Sequence, residues 1–338
     1  MQQETNDYSE KGTSNAHPSF LSVVAPAYNE EAVLPAFHAR LIKVLNELGV
    51  QYEILYVNDG SKDQTINILN DLRNGNEHVS VIDLSRNFGK ELALTAGLDH
   101  AVGDAIVVID TDLQDPPEVI PDLLSKMHEG YDIVYAKRSQ REGETLFKKL
   151  SANLFYRFIQ ILSYINIPED TGDFRVISRR ALDELKRLRE QHRFMKGLFS
   201  WVGFPQTAVR YRRDPRYAGH TKWSYWKLWN FALEGITSFS TKPLKIASYI
   251  GVITALAAFL YAIVVVLKKF LYGDPVAGYP SLMAVILFLG GVQLITIGII
   301  GEYLARTFNE TKNRPLYIVK QYSPAGSTKQ KSERGQVD

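Results

Sequence analysis

Residues 107–118 read VVIDTDLQDPPE. An apolar run suited to a buried strand stops abruptly in four acidic residues, an amide and two prolines. Side chains alternate along an extended chain, so Asp110 and Asp112 aim to the same side. Two carboxylates that close repel each other unless a cation lies between them. The stretch therefore predicts a strand whose carboxyl end is a cation site.

Working outward, short apolar runs alternate with amphipathic segments. The candidate strands are LSVVAP (21–26), YEILYVN (52–58), VSVIDL (79–84), AIVVID (105–110) and DIVYAK (132–137). Helices are expected near 30–48, 63–74, 90–101 and 117–129. This alternation indicates βαβ units, hence an α/β fold with a Rossmann-like, mostly parallel sheet covered on both faces. Ligands of such sheets bind at the carboxyl ends of the strands. Tyr28, Asn29 and Glu30, then Asn58 and Asp59, then Asp110 and Asp112 all fall there and are expected to form one rim. Ser61 and Gln64 read as a capping box for the second helix, with Gly60 turning the chain just before it. The two commonest phosphate-cradling loops, G-x-G-x-x-G and G-x-x-x-x-G-K-[ST], follow none of the strands. Phosphate handling must then fall to a metal and to side chains.

Composition narrows the classes. The chain has 338 residues with 39 Lys+Arg against 37 Asp+Glu, a net charge of +2, which gives no global field for nucleic acid. It has no cysteine, which excludes disulfides, zinc-thiolate sites and a cysteine nucleophile. Residues 1–18 are polar and are expected to be a disordered tail rather than a signal peptide. Toward the other end lie 22 uncharged residues between Lys245 and Lys268, and 27 more between Asp274 and Glu302. Each exceeds the roughly 20 residues a helix needs to cross a bilayer. We expect two membrane helices, at about 246–267 and 279–301, with both chain ends on one side. Lys242, Lys245, Arg306, Lys312, Arg314 and Lys320 favour the cytoplasmic side, against Lys268 and Lys269 in the outer loop. The expected organisation is a catalytic domain over 19–222, an interfacial helix over 223–243, the helix pair within 244–306 and a cytoplasmic tail over 307–338. Residues 146–165 and 223–239, the latter with Trp223, Trp226 and Trp229 three apart, read as helices lying at headgroup depth. Gly251, Ala255, Gly298 and Gly301 are small enough to let spans pack closely, which suggests a homo-oligomer.

Gln114 adds a third hard oxygen donor to Asp110 and Asp112. Oxygen ligands without His or Cys select Mg2+ or Mn2+ over zinc. Magnesium takes few protein ligands and fills the rest with water and substrate phosphates. The acidic cluster thus suits a metal that holds a diphosphate.

The segments APAYNEE, VNDGSKDQT, LSRNFGKELALTAGL, DTDLQDPPE, TGDFRVISRRAL and RYAGHTKWSYWKLWNFALEGI, in that order, resemble the successive motifs of the family 2 glycosyltransferases. Over about residues 20 to 310 the chain is most similar to the dolichyl-phosphate-mannose-synthase and bactoprenol glucosyltransferase branch. The resemblance implies a GT-A fold, a nucleotide-sugar donor (UDP-glucose by branch), a divalent metal and inverting transfer to a polyprenyl phosphate. Carried over by motif, Pro26, Tyr28, Glu30, Asp59, Asp110 and Thr111 would bind the nucleotide sugar. Asp110, Asp112 and Gln114 would hold the metal, with Asp112 and Asp173 at the reacting centre. Arg175, Arg216 and Lys222 would face phosphates. An acceptor phosphate carries about −1.5 to −2 charges, so cations near it are needed, and removing a proton from it gains little. Asp173 is thus either a base or a positioning group.

Other readings stay open at this point. Mannose or an aminoarabinose-type sugar could replace glucose. A processive polysaccharide synthase shares the donor site, but its Q-x-x-R-W motif is met here only by QHRF (191–194), with Phe194 for Trp. An aspartyl-phosphate hydrolase also uses D-x-D after a strand, but wants Thr or Val where Gln114 stands. A membrane scaffold without enzymatic activity is the remaining class.

Overall fold

The computed structural model describes residues 18–139, 171–212, 237–238, 240–272 and 278–326. Residues 1–17, all of 146–165, most of 223–239, Arg216 and Lys222 lie outside them, and with them the expected tail, the interfacial helices and two of the expected phosphate ligands.

The strands are β1 (Phe20–Ala27), β2 (Gln51–Asn58), β3 (Val79–Leu84), β4 (Ala105–Val108), β5 (Ile133–Arg138), β6 (Thr171–Ser178), β7 (Gln206–Tyr211) and β8 (Val319–Ser323). The helices are α1 (Leu34–Leu48), α2 (Thr65–Gly75), α3 (Lys90–His100), α4 (Ile120–His128), α5 (Arg179–Arg187), α6 (Met195–Trp201), α7 (Lys242–Tyr272) and α8 (Tyr279–Thr311). One sheet runs β7-β5-β6-β4-β1-β2-β3-β8. Its centre, β4-β1-β2-β3, is parallel, whereas β6 enters antiparallel between β4 and β5, and β8 runs antiparallel along β3.

Alternation sorts the strands between two cores. Leu21, Val23 and Ala25 of β1 meet Phe37 and Leu41 of α1 and Leu123 of α4. Val24, with Leu55 and Val57 of β2, faces α3, α5 and α6 on the other side. With both faces covered, the central strands read as unbroken apolar runs. Helix α3 is buried nearly all round, from Ala93 to Leu98. A Cβ on Gly97 would collide with Val24 and Val57, so the helix lies close on the sheet. That contact fixes where its first residue, Lys90, begins.

The crossovers lie on opposite faces: β1 to β2 through α1 on one, and β3 to β4 through α3 on the other. The order therefore reverses between β1 and β4, and a crevice opens outside their carboxyl ends. Beyond the sheet, α7 and α8 span 31 and 33 residues and contain windows long and apolar enough to cross a membrane. Their apolar side chains, among them Ile253, Phe259 and Leu294, point outward from the chain. Cβ positions on Gly251, Gly298 and Gly301 meet nothing within 4 Å, so these glycines serve no close packing among the described residues.

Candidate active site

The crevice is assembled from four loops. After β1, Asn29 adopts a left-handed backbone (φ 54°). Its amide donates to Ser61 Oγ at 3.0 Å and its Oδ1 accepts from Lys62 N at 2.9 Å. Glu30 N donates to Thr65 Oγ1 and Glu31 Oε2 accepts from Gln64 N, both at 2.9 Å. The β1 and β2 loops are stitched into one wall. The expected capping box does not form: Ser61 Oγ is taken by Asn29, and Asp63 Oδ1 instead accepts from Thr65 N where α2 begins. Tyr28 stands at the lip, 40% exposed.

Asp59 does not face the crevice as a free acceptor. Its two carboxylate oxygens accept from Phe88 N at 2.7 Å and Gly89 N at 2.9 Å. Burial pushes this carboxyl up, and the two amides partly offset the shift. Gly60 (φ 63°) lies against the same loop, its absent Cβ leaving room for Arg86 and Asn87. Together they hold residues 86–89 and so aim Lys90.

Lys90 is the residue the sequence reading missed. Its Nζ lies 2.6 Å from Asp110 Oδ2 and 2.5 Å from Asp173 Oδ2. The cation expected between carboxylates is here an ammonium, bridging the end of β4 to β6. Burial alone would lower the lysine's pKa, and the two carboxylates more than reverse it. Burial likewise pushes Asp173 up, but Lys90, Lys196 and Arg175 hold it well below the ordinary carboxylate range. Asp173 is 7% exposed, and its Oδ1 is buried without a hydrogen-bond partner among the described residues. Such an orphan acceptor is costly unless a ligand satisfies it.

Behind this pair lies a layer of charged groups, half-buried at Glu91 and Lys196 and buried at Arg175. Lys196 Nζ donates to Thr171 O at 2.9 Å, and Glu91 accepts from Met195 N at 3.2 Å. Burial, with Asp173 adding to it, raises Glu91 to about 7. Arg175, expected on a phosphate, lies within this layer. It is 4% exposed. Its Nε and Nη2 donate to the carbonyls of Asp173 and Gly172 at 3.1 and 3.0 Å, and its guanidinium stacks 3.9 Å over Phe199. Burial lowers it to about 10, so it stays charged at neutral pH. Arg175 shapes the backbone that presents Asp173.

In the acidic loop, Thr111 Oγ1 donates to Pro26 O at 3.2 Å, tying the ends of β4 and β1. Pro26 and Thr111 thus meet through the threonine hydroxyl and the proline carbonyl. Asp112 Oδ1 accepts from Gln114 N at 3.1 Å, and Leu113 turns left-handed (φ 59°). Gln114 is buried. Asp115, buried and unremarked in the sequence, accepts from Tyr211 Oη at the end of β7. No cluster of three His, Cys, Asp or Glu side chains suited to a metal occurs among the described residues. The donor set nevertheless fits a hard divalent ion: Asp110 already binds a cation, Asp112 keeps Oδ2 open among the described residues, and neither His nor Cys is near. Few protein ligands, with the remainder from a diphosphate, is the magnesium pattern.

The model for glycosyl transferase family 2 matches residues 22–186, which hold this whole rim except Lys196 and Tyr211, and that for the GtrB C-terminal hairpin matches 242–307, which holds α7 and α8 almost entirely. A Synechocystis sp. glycosyltransferase is 54% identical over 299 residues, covering 88% of this chain and 94% of the relative. The chain is a family 2 glycosyltransferase. The prophage bactoprenol glucosyl transferase homolog of Escherichia coli K12 is 50% identical over 301 residues, covering 89% and 98% of the two chains. The bactoprenol glucosyl transferase of Shigella phage SfV is 49% identical over the same span and coverage. The hydrolase and scaffold readings fall with this membership. The transferase also departs from the synthase motif in use: Gln191 of QHRF binds α8, its amide nitrogen donating to Glu310 Oε1 at 2.7 Å and its Nε2 to Arg314 O at 2.5 Å.

Proposed function

We propose that this transferase moves glucose from UDP-glucose to a polyprenyl phosphate, inverting the anomeric centre, at the cytoplasmic face of a membrane that α7 and α8 cross. The observation that carries the reading is the near-50% identity to bactoprenol glucosyl transferases across catalytic domain and hairpin alike. The crevice at the β1–β4 reversal supports it as the donor site. Its walls would be Pro26, Tyr28 and Glu30, with Tyr28 free to cover a base.

A divalent Mg2+ or Mn2+ ion held by Asp110, Asp112 and Gln114 would neutralise charge building up on the departing diphosphate. The chain's own groups do the rest. Asp173 Oδ1, buried and unpartnered among the described residues, takes a hydroxyl of the sugar and fixes the ring. Lys90 keeps Asp173 ionised and adds positive charge beside the leaving group. An oxygen of the acceptor phosphate attacks the anomeric carbon from the opposite face. The carbon–oxygen bond to the diphosphate breaks, and the nucleoside diphosphate departs with the electron pair. No proton moves, because the acceptor phosphate is already ionised, so Asp173 serves as a positioning group. Arg216 and Lys222 are assigned to the acceptor phosphate, offsetting its repulsion from the donor.

The test incubates the purified full chain with undecaprenyl phosphate and, in turn, UDP-glucose, GDP-mannose, a UDP-aminoarabinose-type donor and UDP-N-acetylglucosamine. Mass spectrometry of the lipid extract should find hexosyl phosphoprenol from UDP-glucose, dependent on Mg2+ or Mn2+. Product from another donor alone would reassign the sugar, and water-soluble polymer would favour the synthase. Asp173→Asn should cut turnover at least about 100-fold while leaving UDP-glucose affinity within about threefold.

A further inference from the structure

We propose that Lys90 is a built-in counter-ion that a divalent cation must displace from Asp110 on entering the site. The inference rests on the metal reading given above and adds a residue to it.

Asp110 Oδ2 lies 2.6 Å from the Lys90 ammonium. A magnesium-sized ion sits about 2.0–2.1 Å from its oxygen ligands. Sharing that oxygen would bring a monocation and a dication to within a few ångströms of each other, where their repulsion far exceeds thermal energy. One must leave. The ammonium has somewhere to go: Asp173 Oδ2 is 2.5 Å away on its other side, and the lysine side chain is 45% exposed, with flexible methylenes. Its root cannot follow, because Asp59 and Gly60 hold residues 86–89 and Gly97 seats α3 on the sheet. Lys90 therefore swings on a fixed base, from a bridge between two carboxylates to a pair with Asp173 alone. Before loading, it prevents repulsion between Asp110 and Asp173. After loading, its charge remains beside Asp173, where the sugar is held.

The experiment uses the full chain in nanodiscs, with Mn2+ as the probe. Free Mn2+ is measured by electron paramagnetic resonance for the wild type and Lys90→Met, each with and without UDP. Removing the competing ammonium should tighten binding of Mn2+ alone about tenfold. A second measurement needs no variant. Acetic anhydride labelling of Lys90 in the wild type, read by mass spectrometry, should rise severalfold when Mn2+ saturates the site, while exposed Lys43 on α1 stays constant. Equal or weaker Mn2+ binding by Lys90→Met, or unchanged labelling of Lys90 at saturation, overturns the counter-ion role and leaves the metal reading standing. If neither protein binds Mn2+ even with UDP, both ideas are overturned.

Discussion

Replacing Arg175 with Met separates a structural arginine from one that binds phosphate. The guanidinium makes two hydrogen bonds to buried carbonyls, at 3.1 and 3.0 Å, and stacks on Phe199 at 3.9 Å. A hydrogen bond involving a charged group contributes about 1.5–3 kcal/mol, and a desolvated cation–π contact about 1–2. Met regains part of this through its apolar stem and a sulfur–ring contact. The net destabilisation should be about 3–5 kcal/mol. For a domain of this size each kcal/mol shifts Tm by about 2–4 °C, so the melt should fall by about 6–20 °C. Lys in its place keeps the charge but not the fork, and should lose about half as much. The assay is thermal unfolding of the detergent-solubilised chain, followed by intrinsic fluorescence, alongside UDP affinity. A Tm within 2 °C of wild type together with a large loss of substrate affinity would refute the argument and return Arg175 to the phosphates.

Three further outcomes follow from the same geometry. Gly60→Ala forces a left-handed alanine whose Cβ lies 2.5 Å from Asn87 N; it should cost about 2–4 kcal/mol and weaken Mn2+ binding with UDP, and an unchanged melt would refute the close approach of the two loops. Tyr211→Phe removes the donor to buried Asp115, so stability should fall by about 1–3 kcal/mol, with a matching loss of Mn2+ affinity as the acidic loop loosens. Glu91→Gln tests a pH dependence. Glu91 is raised from 4.5 to about 7 by burial and by Asp173, so its ionisation disfavours the folded state, and wild-type stability falls as pH rises between those values. The variant should therefore match wild type near pH 4.5 and melt progressively higher than it up to pH 8. A difference that does not grow with pH would contradict the burial of that carboxyl.

What the sequence disclosed follows from where each segment sits. Strands β1 to β4 are buried on both faces, so apolar runs mark them, and β3 matches its expected bounds residue for residue. Strand β6 escaped notice because TGDFRVIS carries Asp173 and Arg175, both buried, where an apolar pattern would have signalled a strand. Strands β7 and β8 lie at the sheet edges and are partly exposed, which erases alternation. In the site, Asp110 was legible because its motif is local. Lys90 was not: it stands 20 residues from Asp110 and 83 from Asp173, and only the crossing of α3 over the sheet brings the three together. The internal partners of Asp59 and Arg175 went unread for a related reason. Their residue types suit ligands, but their hydrogen bonds run to backbone that no motif marks.

Strand β8 gives the hairpin a second mooring. The chain leaves the sheet through β7 toward α7 and comes back after α8 to pair with β3, where Lys320 meets Asp83 at 3.1 Å and Ala325 N reaches Ser80 Oγ at 2.9 Å. Just beyond and within α8, Tyr317 Oη donates to Asp99 at 2.8 Å, and Asn309 pairs with His192 at 2.9 Å. A domain hung from one strap could roll about it. Here the return strand adds a second fastening at the far edge of the sheet, so the last of the described strands closes the same sheet that the first strands opened.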